Sequence, residues 1–262
     1  MTQRLKAYDL PESLYDYAMI PAPEETCDSL ASIAEPETWD YQNSPQPHLK
    51  PILRNYLKYT YKRIAEEKKV SITNDDNFSC FNTGLITPNQ EQIFMVFEKN
   101  NLADPNTPYW HFRNFASSGQ REVNKFSKLP DMAHYFDDPS CLVYDTRKEL
   151  RVNVEHIVED NKTRFPTEIQ TMNQIMLRNL VDGAINSAKE KVKRNYKVAI
   201  PQYYNSSIQL LLPVSFTGVK ADLALVVERF PDFYRATTCL TLDMAYNNAR
   251  QITRPDRDWL LP

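Results

Sequence analysis

The sequence has 262 residues and a mass of 30.6 kDa, with 42% hydrophobic and 25% charged residues and a net charge of -3. This composition is typical of a folded globular chain and excludes the disordered and membrane-spanning classes. Only four glycines occur, 35, 64 and 35 residues apart. The spacing excludes the Rossmann fingerprint, the P-loop and the Gly-x-Ser-x-Gly elbow, all of which need clustered glycines.

The cysteines and the apolar runs predict a cytoplasmic protein that does not enter a membrane. The first twenty residues are interrupted by charges and hold no apolar core of a secretory signal. The longest apolar runs, such as 208–214, are too short for a membrane helix. The four cysteines lie 53 to 98 residues apart, as expected for reduced thiols rather than for a disulfide framework.

Residues 1–47 form an acidic, proline-rich N-terminal arm. They contain two basic and nine acidic side chains, a local net charge of -7, so the remaining chain carries +4. We expect this arm to be an irregular lead segment, followed by one domain over residues 48–262. The alternatives are that the arm shields a basic surface of the same chain or docks a protein partner.

The first half of the chain predicts one helix and then a run of strands. Residues 49–69 have helical periodicity, and Arg54, Lys58 and Lys62 form a basic stripe away from the apolar face. Strands are predicted at 78–86, 92–98, 109–115 and 141–144, whereas 152–161 fits either a helix or a strand. The short polar loops between the first three strands favour an antiparallel meander.

The second half repeats this alternation of helix and strands. A long amphipathic helix is predicted at 167–193, four strands at 196–200, 208–216, 222–228 and 234–238, and a closing helix at 240–252. The predicted fold class is therefore α+β, with largely antiparallel sheets in two meanders packed with helices in a single domain.

Three polar strings carry the residue types that bind nucleotides. They are Asn82-Thr83-Gly84, the run at 202–205 and the run at 246–250, with Arg254 following. Aromatic rings stack on bases, amides bind base edges and arginine binds phosphate in a two-pronged fork. The ring-stacking candidates are Tyr203, Tyr204 and Tyr246. The base-edge candidates are Asn82, Asn247 and Asn248, and the phosphate candidates are Arg54, Arg250 and Arg254. Thr83 adds a hydroxyl, and Gly84 allows close approach of a ligand to the backbone.

Other interpretations of the same residues stay open. The polar strings also fit a buried hydrogen-bonding network. Carboxylates crowd 137–160, and Asp222 and Glu228 share one predicted strand, which makes a metal-dependent phosphodiesterase or nuclease the first alternative. A non-catalytic protein-interaction module is the second. The histidines lack zinc-site spacing, so the sequence assigns no metal ligand, no cofactor and no catalytic residue.

Several long strings resemble one family. They are 52–57 (Ile-Leu-Arg-Asn-Tyr-Leu), 81–85 (Phe-Asn-Thr-Gly-Leu), 135–139 (Tyr-Phe-Asp-Asp-Pro), 144–147, 159–161 and 245–250. Together they resemble a mainly bacterial family catalogued as domain of unknown function 3825, from about Leu14 to Trp259. The resemblance implies one continuous domain and carries over no catalytic residue. Relatives that occur beside nucleic-acid-binding modules favour nucleotide or RNA binding. The leading hypothesis is therefore a cytoplasmic nucleotide- or RNA-binding domain, and action on the bound phosphates is a further expectation.

Overall fold

The computed structural model describes residues 6–41, 49–102, 107–218, 220–255 and 259–260. Contacts within the chain divide it into two compact units, Met1–His134 and Tyr135–Pro262. The described residues form seven α-helices and two five-stranded, mostly antiparallel sheets. The predicted α+β class is confirmed, and the architecture is consistent with one domain. The boundary predicted between residues 47 and 48 lies outside the described residues and stays a prediction.

The described residues of the first unit form three α-helices and five strands. In chain order they are α1 (Leu14–Tyr17), β1 (Ala18–Met19), α2 (Pro23–Ile33), α3 (Pro51–Glu66), β2 (Ser71–Ile72), β3 (Phe78–Ile86), β4 (Gln92–Lys99) and β5 (Trp110–Ser117). The strand order in the sheet is β1-β5-β4-β3-β2. Only β1 and β5 pair in parallel, and the other neighbours are antiparallel. The predicted meander of β3, β4 and β5 is therefore confirmed.

Helix α3 is the main helix of this unit. Pro51 stands at its first position, where proline costs the helix no hydrogen bond. Its apolar face, including Leu53, Leu57 and Ile64, is fully or almost fully buried. The helix contacts β3, and apolar burial of this kind is the main stabilising contribution to such packing.

The acidic arm is not an irregular lead segment. Its described part contains α1, β1 and α2, and Tyr17, Ala18 and Leu30 are at most 1% exposed. The hydroxyl of Tyr17 donates to Oγ of Ser79 at 2.8 Å inside the core. The prediction of irregular structure is wrong here because apolar residues at helical spacing within the arm outweigh its charge and its prolines.

The described residues of the second unit form five strands and four α-helices. In chain order they are β6 (Glu149–Val152), α4 (Val154–Asn161), α5 (Thr167–Gln170), α6 (Gln174–Arg194), β7 (Ile200–Tyr204), β8 (Ser207–Val214), β9 (Leu223–Arg229), β10 (Phe233–Leu240) and α7 (Leu242–Arg250). The strand order is β6-β10-β9-β8-β7, with β6 parallel to β10 and the rest antiparallel. One face of this sheet, with Leu212, Leu225 and Ala236, shares a core cluster with α4 and α6.

Two short strands predicted in this unit are wrong. Residues 141–144 fall at a 3-10 helix, Pro139–Leu142, which begins because the Asp138 side chain accepts from the backbone of Ser140. Residues 196–200 begin with another 3-10 helix, Tyr196–Val198, capped in the same way by Asn195. Strand β7 starts only at Ile200, so Gln202, Tyr203 and Tyr204 lie inside the strand rather than after it.

Two predicted helices have different bounds. The helix predicted at 167–193 is interrupted, because the side chain of Asn173 accepts from the backbone N–H of Met176 and begins α6 as a new helix. The closing helix begins at Leu242 rather than at 240, because Leu240 ends β10 and Thr241 caps α7. The ambiguous stretch 152–161 is resolved as the end of β6 followed by α4.

The two sheets have the same topology. In each unit the first strand lies at one edge, parallel to the fifth, and the second to fifth strands follow as a meander to the other edge. In each unit, helices also separate the first strand from the second. The sequence contains no convincing internal repeat, so this correspondence is visible only in the strand order.

Candidate functional site

The tripeptide Asn82-Thr83-Gly84 forms an irregularity in β3. The β3–β4 register shifts between Asn82 and Ile86, and Gly84 has a φ of 74°. Asn82 is buried, donates to the side-chain oxygen of Gln92 at 3.0 Å and accepts from the backbone of Gly84 at 2.9 Å. The hydroxyl of Thr83 donates to the carbonyl of Ile93 at 2.7 Å. These contacts give each residue a structural role, and ligand binding by the three stays a prediction.

The basic stripe of α3 meets the acidic arm. Lys62 forms an ion pair with Glu12 at 2.9 Å, and the ammonium of Lys58 lies 5.6 Å from the centre of the Tyr15 ring. Arg54 is exposed and close enough to Cys27 to act on the pKa of its thiol, which burial raises to about 11 against the opposing effect of Arg54. Part of the stripe therefore contacts residues of the arm at the surface, and shielding of a basic surface stays a prediction.

Most of the predicted ligand-binding residues of the second unit are packed inside it. Tyr203, Tyr246 and Arg250 are 9%, 2% and 7% exposed. The ring of Tyr203 contacts that of Tyr135 edge to face, with 4.8 Å between ring centres. Asn247 donates to the carbonyl of Asp243 at 3.0 Å. Their roles as ligand contacts stay predictions, whereas Tyr204 and Arg254 are exposed.

Asn248 is the end of a row of polar side chains that crosses the sheet. Its Nδ2 donates to Gln202, whose Nε2 donates to Gln209 at 2.7 Å. Gln209 donates to Glu228 at 3.5 Å, and Glu228 forms an ion pair with Arg235 at 2.7 Å. The last four residues are successive cross-strand neighbours on β7, β8, β9 and β10. The buried-network interpretation therefore fits Gln202 and Gln209, whereas the side chains of Glu228 and Arg235 are 35% and 51% exposed.

A cavity of about 320 Å³ lies beside the start of β7. Two cations and an aromatic ring line it, namely Lys197, Arg254 and Tyr196. All three side chains are exposed, and Tyr196 is 49% exposed. The remaining lining is mostly apolar, including Leu142, Val143, Pro201 and Pro255. Of the three predicted phosphate contacts, Arg254 therefore lines this cavity.

The turn between β9 and β10 carries a cluster that the sequence analysis did not single out. The rings of Phe230 and Phe233 stack with 4.8 Å between their centres and 3° between their planes. The guanidinium of Arg235 lies 4.8 Å from the centre of Phe230, and that of Arg151 lies 4.2 Å from the centre of Phe233. The sequence did contain a signal for this cluster, because Phe233 and Arg235 are two residues apart on one strand and therefore lie on the same face.

The surroundings of this cluster add charge. Lys148 donates to the carbonyl of Phe230 at 2.8 Å, and Arg229 donates to Oγ of Ser140 at 3.4 Å. Arg147 binds both carboxylate oxygens of Asp145 and thereby lowers the pKa of that carboxyl to about 2. The cations of this region therefore outnumber the carboxylates that they directly contact.

The carboxylates proposed for metal chemistry are engaged by separate partners. Asp138 accepts from Ser140, Glu149 pairs with Arg151, and Asp160 contacts His156. Asp222 lies one residue before β9 and accepts from residues 216 and 217, while Glu228 belongs to the polar row. In the described ranges, no group of three or more His, Cys, Asp or Glu side chains is placed to hold a metal ion.

A model of the family described as Domain of unknown function (DUF3825) matches residues 30–259. The chain belongs to this family. The DUF3825 match includes every strand except β1, as well as the cavity beside β7 and the Phe230–Phe233 cluster. No curated protein and no solved structure matches the chain. Among the helices in the described part of this DUF3825 protein, none is long and apolar enough to cross a membrane.

Proposed function

We propose that the protein is a cytoplasmic nucleotide- or RNA-binding protein that uses the cavity beside β7. The observation behind the proposal is that Tyr196, Lys197 and Arg254 line one cavity together with mostly apolar residues. A nucleotide offers a flat base and an anionic phosphate, which an aromatic ring and paired cations are suited to bind. The four cysteines are free thiols, which supports the cytoplasmic location.

The size of the cavity supports a small ligand or one nucleotide unit of a strand. Its volume of about 320 Å³ lies at the lower end of the range of small-molecule pockets, roughly 300 to 1,000 Å³. Arg254 supplies a planar fork for phosphate and Lys197 supplies a point charge, so the two cations complement each other. Tyr196 supplies a ring face for the base.

The other predicted contacts support this site indirectly. Gln251 of the same C-terminal segment donates to the carbonyl of Tyr203 at 3.5 Å, and Asn248 donates to Gln202 at 3.1 Å. These bonds tie the end of α7 to β7, and Arg254 follows α7 by four residues. Chemistry on the bound phosphate stays a prediction without an assigned residue.

Arg254→Ala tests the proposal, with AMP and a 12-nucleotide single-stranded RNA as probes in calorimetric titrations. We expect binding of both probes to weaken about tenfold or more, because a charged hydrogen bond to phosphate contributes roughly 1.5 to 3 kcal/mol. The matched control is Arg178→Ala, an exposed arginine on α6 that lies 3.7 Å from Glu155. Equal affinities in wild type and a folded Arg254→Ala variant would contradict the proposal.

Arg254 is a better test than Arg250 for a structural reason. The side chain of Arg250 is 7% exposed, so its removal alters the packing of α7 as well as any ligand contact. The metal-dependent phosphodiesterase and the protein-interaction module stay predictions. For the second of these, removal of the whole arm is unsuitable, because Tyr17 and Leu30 belong to the core of the first unit.

A further inference from the structure

We propose that the β9–β10 turn is a second binding site, which stacks bases and holds phosphates of a single-stranded nucleic acid. The inference rests on the nucleic-acid binding in the proposed function and assigns to this turn a strand rather than a free nucleotide. It starts from the aromatic pair Phe230 and Phe233 and from the guanidinium groups of Arg151 and Arg235, none of which contributes to the cavity beside β7.

The register of the sheet brings these side chains to one face. Glu228, Arg235 and Arg151 are successive cross-strand partners on β9, β10 and β6. Phe233 lies two residues before Arg235 on the same strand, and its backbone carbonyl accepts from the N–H of Phe230 at 2.9 Å. The turn therefore holds two rings beside two guanidinium groups.

The guanidinium groups over the stacked rings remain accessible. Phe230 and Phe233 are half-buried, whereas the side chains of Arg151 and Arg235 are 59% and 51% exposed. The short turn between the strands and the stacking of the rings both limit their rotation. A site that is ordered before binding loses less side-chain entropy when a ligand arrives.

The arginines retain donors for phosphate. Arg235 uses Nε and Nη2 to bind Glu228, and Arg151 uses Nε to bind Glu149. Among the described residues, Nη1 of Arg235 and both Nη groups of Arg151 make no hydrogen bond. A guanidinium presents five N–H donors in a plane, so each arginine can bind its carboxylate and a phosphate oxygen together.

Single strands fit this cluster better than duplexes or acidic peptides. Bases of a single strand expose their faces, which can stack on the guanidinium planes that lie over the rings of Phe230 and Phe233. In a duplex the same faces are covered by neighbouring base pairs. An acidic peptide offers charge to Arg151 and Arg235 but no flat ring for Phe230 and Phe233.

The charge balance of the turn is compatible with a polyanion. Lys148 lies next to the cluster because it donates to the carbonyl of Phe230. Arg229 directly precedes Phe230 in the chain and donates to Ser140. Three carboxylates, Glu149, Glu228 and Asp232, also lie in this region, so attraction alone is modest. We therefore expect stacking to contribute most of the affinity and the salt dependence to be shallow.

The test measures binding of a fluorescein-labelled 12-nucleotide single-stranded RNA by anisotropy. In the Phe230→Leu/Phe233→Leu double variant we expect affinity to fall about 5- to 100-fold, the range of base–aromatic stacking. AMP affinity should not change, because AMP is assigned to the cavity. The control is Arg178→Ala, which lies outside both sites. Circular dichroism and the thermal midpoint establish that each variant is folded.

The outcomes separate this inference from the proposed function. Unchanged RNA affinity in the folded double variant, with AMP binding that still depends on Arg254, would overturn the stacking site and leave the cavity standing. RNA binding that depends on Phe230 and Phe233, without any AMP binding, would support the stacking site and contradict the cavity. If a duplex of the same sequence binds as tightly, or polyglutamate displaces the RNA as well as unlabelled RNA does, charge suffices and the inference is overturned.

Discussion

Gln202 and Gln209 face each other across β7 and β8, and Nε2 of Gln202 donates to Oε1 of Gln209. The orientation of both amides follows from Glu228 at the end of the row. An ionised carboxylate only accepts hydrogen bonds, so Gln209 must direct its NH₂ group toward Glu228 and its oxygen toward Gln202. Gln202 must then direct its oxygen toward Asn248. Each side chain of the row therefore donates to the next one, from Asn248 on α7 to Glu228.

Replacing one glutamine of this pair should destabilise the protein. In Gln209→Met the side chain keeps its approximate volume, but Nε2 of the buried Gln202 loses its acceptor. We expect the free energy of unfolding to fall by about 1 to 3 kcal/mol, as for other buried polar groups left unpaired. Urea denaturation followed by circular dichroism measures the change. The double variant Gln202→Met/Gln209→Met should recover part of the loss, and strictly additive effects would contradict the coupling.

Replacement of Gly84 and of Gly183 by alanine should change the free energy of unfolding in opposite directions. At Gly84 an added Cβ would lie 2.6 Å from the hydroxyl oxygen of Tyr56, and φ is 74°. We expect Gly84→Ala to lower the free energy of unfolding by at least about 1 to 2 kcal/mol, the cost of a left-handed backbone alone. Gly183 lies in α6 with no atom within 4 Å of an added Cβ. There we expect alanine to stabilise by about 0.5 to 1 kcal/mol. Thermal denaturation of both variants checks the pair, and destabilisation by both would contradict it.

The burial of the N-terminal helix α2 predicts a large effect at Leu30. Its side chain is fully buried, so Leu30→Ala should reduce the free energy of unfolding by about 2 to 5 kcal/mol, as other leucine truncations in cores do. Glu25→Ala, an exposed position on the same helix, is the matched control and should change it by less than about 0.5 kcal/mol. Equal denaturation midpoints for the two variants would mean that the arm does not pack as described.

The cysteines should differ in their reactivity toward iodoacetamide. Burial raises the pKa of Cys27 to about 11 and that of Cys239 to about 12, and it also raises that of the buried Cys80. Cys141 is half-buried, and its pKa is also raised, first by partial burial and then by Asp138. We expect mass spectrometry of the native protein at pH 8 to detect slow modification of Cys141 alone. The rate should rise as the pH is increased, because the thiolate is the reactive form.

A matched variant makes the thiol experiment decisive. Cys141→Ser should abolish labelling of the native protein, while urea should expose the other three thiols. Rapid labelling of Cys80 or Cys239 without denaturant would contradict the packing of β3 or β10, in which these residues lie.

The parts of the fold that the sequence predicted depend on local pattern. Helix α3 combines an initial proline with a 3.6-residue apolar period, and β3, β4 and β5 are separated by short polar loops. Apart from the acidic arm, the main errors occur where one side chain decides the backbone. Asp138, Asn173 and Asn195 each accept from a nearby backbone N–H and begin a 3-10 or α-helix that apolar periodicity does not indicate.

The candidate sites were harder to predict because they depend on register. Gln202 and Gln209 become partners only through the pairing of β7 with β8, and Arg151 reaches Phe233 only because β6 joins β10 across 80 residues of chain. Arg254 was recognised by its type, whereas Tyr196 and Lys197 were assigned to a strand and not considered. A single sequence gives residue types but not the long-range pairing that brings them together.

Because the two units share one strand order, each strand of one unit has an equivalent strand in the other. Strands β3 and β8 occupy the same place in their sheets, yet β8 pairs with β9 without interruption over 210–214, whereas β3 shifts register after Asn82. The shift at Asn82-Thr83-Gly84 is therefore a departure from the regular pairing that the equivalent strand β8 makes with β9. Any substitution in this segment can be compared with one at the equivalent place in β8, inside the same polypeptide and under identical conditions.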